Sequence, residues 1–232
     1  MKRQPLLLVL FLILAHGGAW AGSITGVVRA RGKEGTETEG AEGKYDSRKF
    51  KFAERVDYSE LRDFVVYLEG RVGTNQPAPA EPARVITTRK ISQKGAVFSP
   101  HVLPVVVGTT VEWPNLDDVF HNVFSMSEPK PFDLGLYKNP EVKRIAFDRP
   151  GRIDIFCSIH KAMNCIILVL ENPYFAAADE RGRYTITGVP AGTYQLKAWH
   201  ERLPSQSREI IVAETGDVRA DFTLGIVNLP KY

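Results

Sequence analysis

The sequence predicts an all-β protein, and three features carry that prediction. Short runs rich in Val, Ile, Phe and Tyr recur along its 232 residues, Gly, Pro, Asn and Asp interrupt them at close intervals, and helix signals are nearly absent. The 44% hydrophobic content is ordinary for a globular protein, and no apolar run beyond the N-terminal region is long enough to cross a membrane without charges.

The first residues stand apart from the fold. Lys2 and Arg3 precede an apolar run from Leu6 to Ala15, and Ala19-Trp20-Ala21 places small residues around a cleavage point. That order reads as a secretory signal peptide over residues 1–21, so the mature chain is expected to start near Gly22 and to work in the periplasm or outside the cell. The run is short for a bilayer span, and no cysteine follows the cleavage point to carry a lipid, so no membrane anchor is expected afterwards. Without Lys2 and Arg3, 28 basic residues face 27 acidic ones, a net charge of about +1. No basic patch stands out, and nucleic acid is not an expected partner. Roughly 210 residues remain, enough for one large domain or two small ones.

Ile24 to Ala30 reads as the first strand. Arg31 to Asp57 is polar and charged, with Gly32, Gly35, Gly40 and Gly43 spread through it, and reads as a solvated loop. Phe64 to Leu68 is the second strand, closed by Glu69-Gly70; its nearly continuous apolar run implies cover on both faces. These two strands make residues 23–70 the first part of a sandwich. Pro77, Pro79 and Pro82 exclude strand and helix from the next stretch, which becomes a linker over 73–84.

A denser β region follows over 85–171. Its landmarks are Val97-Phe98-Ser99-Pro100, Val105 to Trp113 with a turn at Gly108-Thr109, His121-Asn122-Val123, Phe132-Asp133-Leu134-Gly135, and Val142 to Phe147. A turn at Asp148 to Gly151 then leads into Arg152 to Cys157. Residues 172–225 supply a turn at Asp179 to Gly182, a strand from Tyr184 to Thr187, and a second turn at Val189 to Gly192. Strands at Thr193 to Trp199, Arg208 to Val212 and Val218 to Leu224 complete a small antiparallel sandwich, with 226–232 as a tail.

Side-chain parity is informative near the end of the denser region. Ile153, Ile155 and Cys157 share one strand face, opposite Arg152, Asp154 and Phe156. Met163, Cys165, Ile167 and Val169 continue the inward face on the next strand, but Ile166, Leu168 and Leu170 make its other face apolar too. Something outside this barrel must cover that face.

Between those strands, Cys157-Ser158-Ile159-His160-Lys161-Ala162-Met163 packs a thiolate, an imidazole and a thioether into seven residues, and His121 lies 36 residues before Cys157. Two His, one Cys and one weakly bound Met make up the ligand set of an electron-transfer copper site. The expected ligands of one mononuclear copper ion are therefore His121, Cys157, His160 and Met163. Asn122 is expected to hydrogen-bond across to the Cys157-Ser158 loop and hold the site closed, with Ser158 its partner. Ile159 and Phe132 are the expected docking surface for a redox partner.

Blander readings stand beside this one. In an exported chain, Cys157 and Cys165 are candidates for a disulfide, which would remove the thiolate. Either histidine alone would be an ordinary barrel residue, and Met163 alone would be core filling. Zinc is weaker, because structural zinc takes four Cys or His ligands and a thioether suits it poorly. Cys165 reads as a buried core residue, while His101 and His200 lack partner spacing. With no second His cluster and no activated nucleophile, the chain is not expected to be an enzyme.

The stretches Phe98-Ser99-Pro100, Val107-Gly108-Thr109-Thr110-Val111, Asn115-x-Asp117, His121-Asn122-Val123 and Pro150-Gly151 before Cys157 resemble the cupredoxins, particularly amicyanin, pseudoazurin and plastocyanin. The resemblance covers about Val85 to Glu171 and implies a Greek-key β-barrel in which the edge of His160 reaches the surface and carries the electron. Ile159 departs from it, since many members carry Pro before the second His. The flanking Ile24-Thr25-Gly26-Val27, Asp179-x-x-Gly182-x-Tyr184 and Gly188-Val189-Pro190-Ala191-Gly192-Thr193-Tyr194 look like the two halves of a carboxypeptidase regulatory-like, transthyretin-like β-sandwich. The resemblances together imply a cupredoxin domain inserted in or packed on a discontinuous sandwich. The whole resembles exported plastocyanin-like proteins described as methylamine-utilisation proteins. The expected function is a periplasmic one-electron carrier between a dehydrogenase or cytochrome donor and an acceptor. The alternative is a copper-binding, sensing or structural envelope module.

Overall fold

The computed structural model describes residues 21–32, 57–72, 88–214 and 216–225. The signal-peptide region, the charged stretch over 33–56, the proline-rich linker and the tail lie outside the described residues. Among those described there is no α-helix, only a 3-10 turn at Tyr58–Glu60, capped by Asp57. The expectation of an all-β fold holds.

The chain opens with β1 (Ala21–Arg31) and β2 (Val65–Leu68). It continues through β3 (Thr88–Lys90), β4 (Ser92–Lys94), β5 (Val97–Ser99), β6 (Val102–Val106), β7 (Thr109–Pro114), β8 (His121–Ser125), β9 (Phe132–Tyr137), β10 (Val142–Phe147), β11 (Gly151–Phe156) and β12 (Asn164–Leu170). It closes with β13 (Phe175–Ala177), β14 (Arg183–Pro190), β15 (Gly192–His200), β16 (Leu203–Val212), β17 (Asp217–Arg219) and β18 (Phe222–Gly225).

Four main sheets enclose three apolar layers. In the outer sandwich, β1 with β14, β17 and β18 faces the sheet β13-β2-β15-β16, and Ile24, Val28, Val66, Leu68, Ile186, Leu196 and Phe222 fill the space between. In the barrel, the five-stranded sheet β6-β12-β11-β8-β9 faces β10-β7-β3 across a core built on Trp113, Phe147, Ile153, Ile155 and Ile167. The third layer joins the two: Val65, Val102, Ile166, Leu168 and Leu170 are buried together, with Tyr67, Phe175 and Trp199 packed against them.

Period-2 alternation builds this stack. On β2, Val66 and Leu68 face the sandwich core while Val65 and Tyr67 face the barrel. On β12, Cys165, Ile167 and Val169 face the barrel core while Ile166, Leu168 and Leu170 meet the sandwich. The sandwich is thus the cover that a doubly apolar β12 requires. Each of these aliphatic side chains contributes about 1.5–3 kcal/mol relative to exposure.

The barrel leaves the sandwich after β2 and returns before β13, and one buried side chain ties both crossing points. Asn172 Nδ2 donates to Leu68 O and Gly70 O, each at 2.7 Å, while its Oδ1 accepts from Tyr174 N at 2.9 Å. Polar contacts across the junction add to the apolar layer: His101 Nε2 meets Glu201 Oε1 at 3.0 Å, and Arg152 lies over the Trp199 ring.

Two details differ from the sequence reading. The turn at Gly108 is a corner between sheets, because Val107 N donates to Leu170 O while Gly108 N donates to Phe147 O. The last strand is neither continuous nor antiparallel. It splits into β17 and β18, both parallel to β1, because Val27 N donates to the Asp221 carboxylate instead of a backbone carbonyl. At that crossing Ala220 N donates to Thr25 O, and Gly26 leaves no room for a side chain: a Cβ would lie 1.9 Å from Ala220 O.

Candidate metal centre

His121 is delivered by a short loop whose conformation is fixed from within. Asn115, buried at the end of that loop's stem, donates through Nδ2 to Val119 O and Tyr137 O, both at 3.0 Å, and accepts from Asp117 N at 2.9 Å. Asp117 in turn accepts from Gly95 N at 2.8 Å and Ala96 N at 3.0 Å, a pair held in the left-handed region at φ 63° and 55°. Its Oδ2 also lies 2.7 Å from His121 Nε2. The amides of Ala96 and Gly95, followed by the His121 contact, bring the Asp117 carboxyl down to about 2. A carboxylate only accepts, so His121 donates through Nε2–H and keeps the Nδ1 lone pair for the site. The imidazole is completely buried.

The other donors come from the loop joining β11 to β12. Cys157 N donates to Met163 O at 3.1 Å and Met163 N to His160 O at 2.9 Å, which closes the loop at its neck and again at its tip. Cys157 and Met163 are buried in the same core, while His160 is half-buried and Ser158 and Ile159 are exposed. Asn122 N donates to Cys157 Sγ at 3.4 Å. The Asn122 side chain spans two elements, with Nδ2 on Asp133 Oδ1 at 2.7 Å and Oδ1 accepting from Ser158 N at 3.3 Å.

These elements bring three donor atoms together. His121 Nδ1 and His160 Nδ1 lie 3.0 Å apart, Cys157 Sγ lies 3.6 Å from His160 Nδ1, and all three ligand atoms fall within 4.8 Å of one another. Ligand atoms bonded to one ion at ~2.0–2.3 Å are separated by roughly 3–4 Å. The triangle therefore has the dimensions of a shared coordination sphere. Its chemistry, two imidazoles and a thiolate with a buried thioether from the same loop, suits copper better than zinc. Residues 88–170 carry all four of these side chains.

The second cysteine does not compete for this site. The register of β11 with β12 sets Ile155, not Cys157, opposite Cys165, which leaves the two cysteines diagonal on one face. Diagonal neighbours are ~7–8 Å apart, beyond the usual Cα separation of a disulfide. Both thiols are free, and burial pushes the Cys165 thiol well up.

Phe132, expected beside Ile159 on the docking surface, is partly buried. It packs against the barrel core and meets the Phe147 ring edge-on at 6.1 Å, because its place opposite Ser125 on β9 turns it inward. The exposed apolar residues around the site are instead Ile159 in the Cys157–Met163 loop and Leu116, Val119 and Phe120 in the loop before His121. Asp117 and Asp133 carried no role in the sequence reading. Asp117 stands four positions before His121 in the Asn115-x-Asp117 stretch, which offered a signal; Asp133 offered none.

Comparison with solved structures finds partial similarity to several proteins. Matches include a copper-containing nitrite reductase from Thermus scotoductus SA-01, at 33% identity over 37% of this chain and 23% of that chain, with a TM-score of 0.35. A purple cupredoxin from Nitrosopumilus maritimus matches at 26% identity over 36% of this chain and 98% of its own, with a TM-score of 0.32. A reduced Cu(I) form of an amicyanin variant matches at 22% identity over 35% and 81%, with a TM-score of 0.34. Thus the chain spans less than a quarter of the nitrite reductase's length. Residues 171–220, in the outer sandwich, match the family model described as polysaccharide lyase family 4, domain II. Curated protein sequences give no match.

Proposed function

We propose that this protein is a one-electron carrier, with a single copper ion held by His121, Cys157 and His160 and, more weakly, by Met163. The observation that carries this reading is the triangle of two Nδ1 atoms and one Sγ, already assembled within 4.8 Å with only His160 partly exposed. Bound there, copper would supply a Cu(I)/Cu(II) couple, tuned in potential by the thioether. The chain's own part is to keep the donors from moving between the two oxidation states. Asp117 fixes the His121 ring, Asn122 ties the Cys157 loop to β8, and the pinned neck of the loop fixes Met163.

His160 is the half-buried member of the set, and its ring is the route by which an electron enters or leaves. Ile159, Leu116, Val119 and Phe120 supply the apolar surface on which a donor dehydrogenase or cytochrome docks. The protein acts after export to the periplasm and signal cleavage near Ala21.

The test is optical. Protein loaded with Cu(II) is expected to be intensely blue from thiolate-to-metal charge transfer. Cys157→Ser abolishes the colour, while Met163→Leu keeps it and shifts the potential. Colourless Cu(II)-loaded protein with both thiols free would sink the proposal. Reversible one-electron voltammetry together with slow copper exchange separates a carrier from a copper-sensing module, which exchanges its metal rapidly.

A further inference from the structure

We propose that Asp133 is a positioning residue for the copper loop: it sets the orientation of the Asn122 amide and, through that amide, the place of the Ser158 backbone beside Cys157. The inference rests on the copper reading above. The two ends of the Asn122 side chain have nearly the same shape and differ in hydrogen-bonding character, one donating and one accepting. One end lies 2.7 Å from Asp133 Oδ1, the other 3.3 Å from Ser158 N. An ionised carboxylate accepts and cannot donate, so the NH2 end belongs at Asp133. The carbonyl end is then left for Ser158 N–H, which needs an acceptor.

Asp133 is well placed to hold that choice. It sits on β9 opposite Phe124, and the same Oδ1 accepts from Gly135 N at 2.8 Å, closing a turn in which Gly135 has φ 70°. Asn122 is buried, and its own N–H already points at Cys157 Sγ. Without Asp133 nothing at that end distinguishes oxygen from nitrogen. A turned-over amide would set two donors against each other at Ser158 and release the loop at the residue next to the thiolate.

Three variants test this. In Asp133→Ser the hydroxyl is too short to reach Asn122 but can still accept from Gly135 N. Asp133→Asn keeps a carbonyl oxygen in the place of Oδ1, and Asp133→Ala replaces the serine variant should that one not fold. Two readouts apply: hydrogen exchange of Ser158 N–H, by NMR on the copper-free and Cu(I)-loaded protein, and the rate of copper release to a chelator. The serine variant is expected to exchange about fivefold faster at Ser158 and to release copper about tenfold faster, with the asparagine variant within about twofold of wild type. A serine variant identical to wild type in both readouts overturns the proposal. So does an asparagine variant as impaired as the serine one, which would assign the effect to charge. If the wild type takes up no copper, the copper reading fails by itself. Ser158 exchange in the copper-free protein still decides the role of Asp133.

Discussion

Asp117→Ala removes one acceptor that serves three donors. Two of them, Gly95 N–H and Ala96 N–H, lie in a turn open to water, so their loss costs about 0.5–1.5 kcal/mol each. The third, His121 Nε2–H, is buried, and leaving it without an acceptor adds about 1–3 kcal/mol. The copper-free protein should therefore lose about 2–6 kcal/mol, seen as a lower urea midpoint at unchanged slope. Once its Nε2–H is unpaired the His121 ring is free to tilt, and copper affinity should fall about 10–100-fold in chelator competition. Asp117→Asn keeps one carbonyl oxygen, which in the place of Oδ2 still accepts from Ala96 N and His121 Nε2 but leaves Gly95 N without its acceptor, and should fall between. An alanine variant within about 0.5 kcal/mol of wild type, and within about twofold in copper affinity, would refute the assignment of Asp117 as the anchor of His121.

Three further outcomes follow from the packing. Leu168→Ala, on the face of β12 turned toward the sandwich, should cost about 2–5 kcal/mol in urea unfolding while leaving the copper absorption in place; a loss under about 1 kcal/mol would mean that the joint layer contributes little. Gly26→Ala should lower stability by about 3 kcal/mol or more, because the new Cβ collides with the Ala220 carbonyl between β17 and β18; unchanged thermal unfolding would contradict the parallel arrangement. Glu69 bonds to Lys197 Nζ and Ser207 Oγ across the sandwich sheet. Burial alone would raise its carboxyl, but these two donors outweigh it and hold the group below 4.5. The ionised form is thus the folded form's partner, so its contribution is full above 4.5 and is lost as pH falls through the lowered value. Glu69→Gln should cost up to about 1 kcal/mol at neutral pH, after solvent screening, and should flatten the acid limb of the stability curve.

The donor set was legible because its chemistry is local. Cys157, His160 and Met163 lie in one seven-residue stretch between two strands, and no reading of that stretch as packing alone explains all three. Alternation on β11 and β12 was legible for the same reason, since successive side chains point to opposite faces whatever the strand pairs with. From that alternation came both the inward direction of Cys157 and the need for cover over Ile166, Leu168 and Leu170.

Pairing partners were not legible. Periodicity does not say which sheet a strand joins, so the turn at Gly108 gave no sign that it is also a corner between two sheets. The parallel course of β17 and β18 along β1 depends on where the chain re-enters after β16 and on an Asp221 carboxylate taking an amide that a backbone carbonyl would otherwise bond. The direction of Phe132 depends on its register with Ser125, which the sequence does not show. The same holds for the two aspartates that hold the site: Asp117 meets a turn 21 and 22 positions away, and Asp133 meets an amide 11 positions away. By itself the sequence determined which atoms are available to bind a metal and which way their strands face them. Only the tertiary structure decided how those atoms are held, because long-range hydrogen bonds and sheet contacts exist once the chain has closed on itself and leave no local period behind.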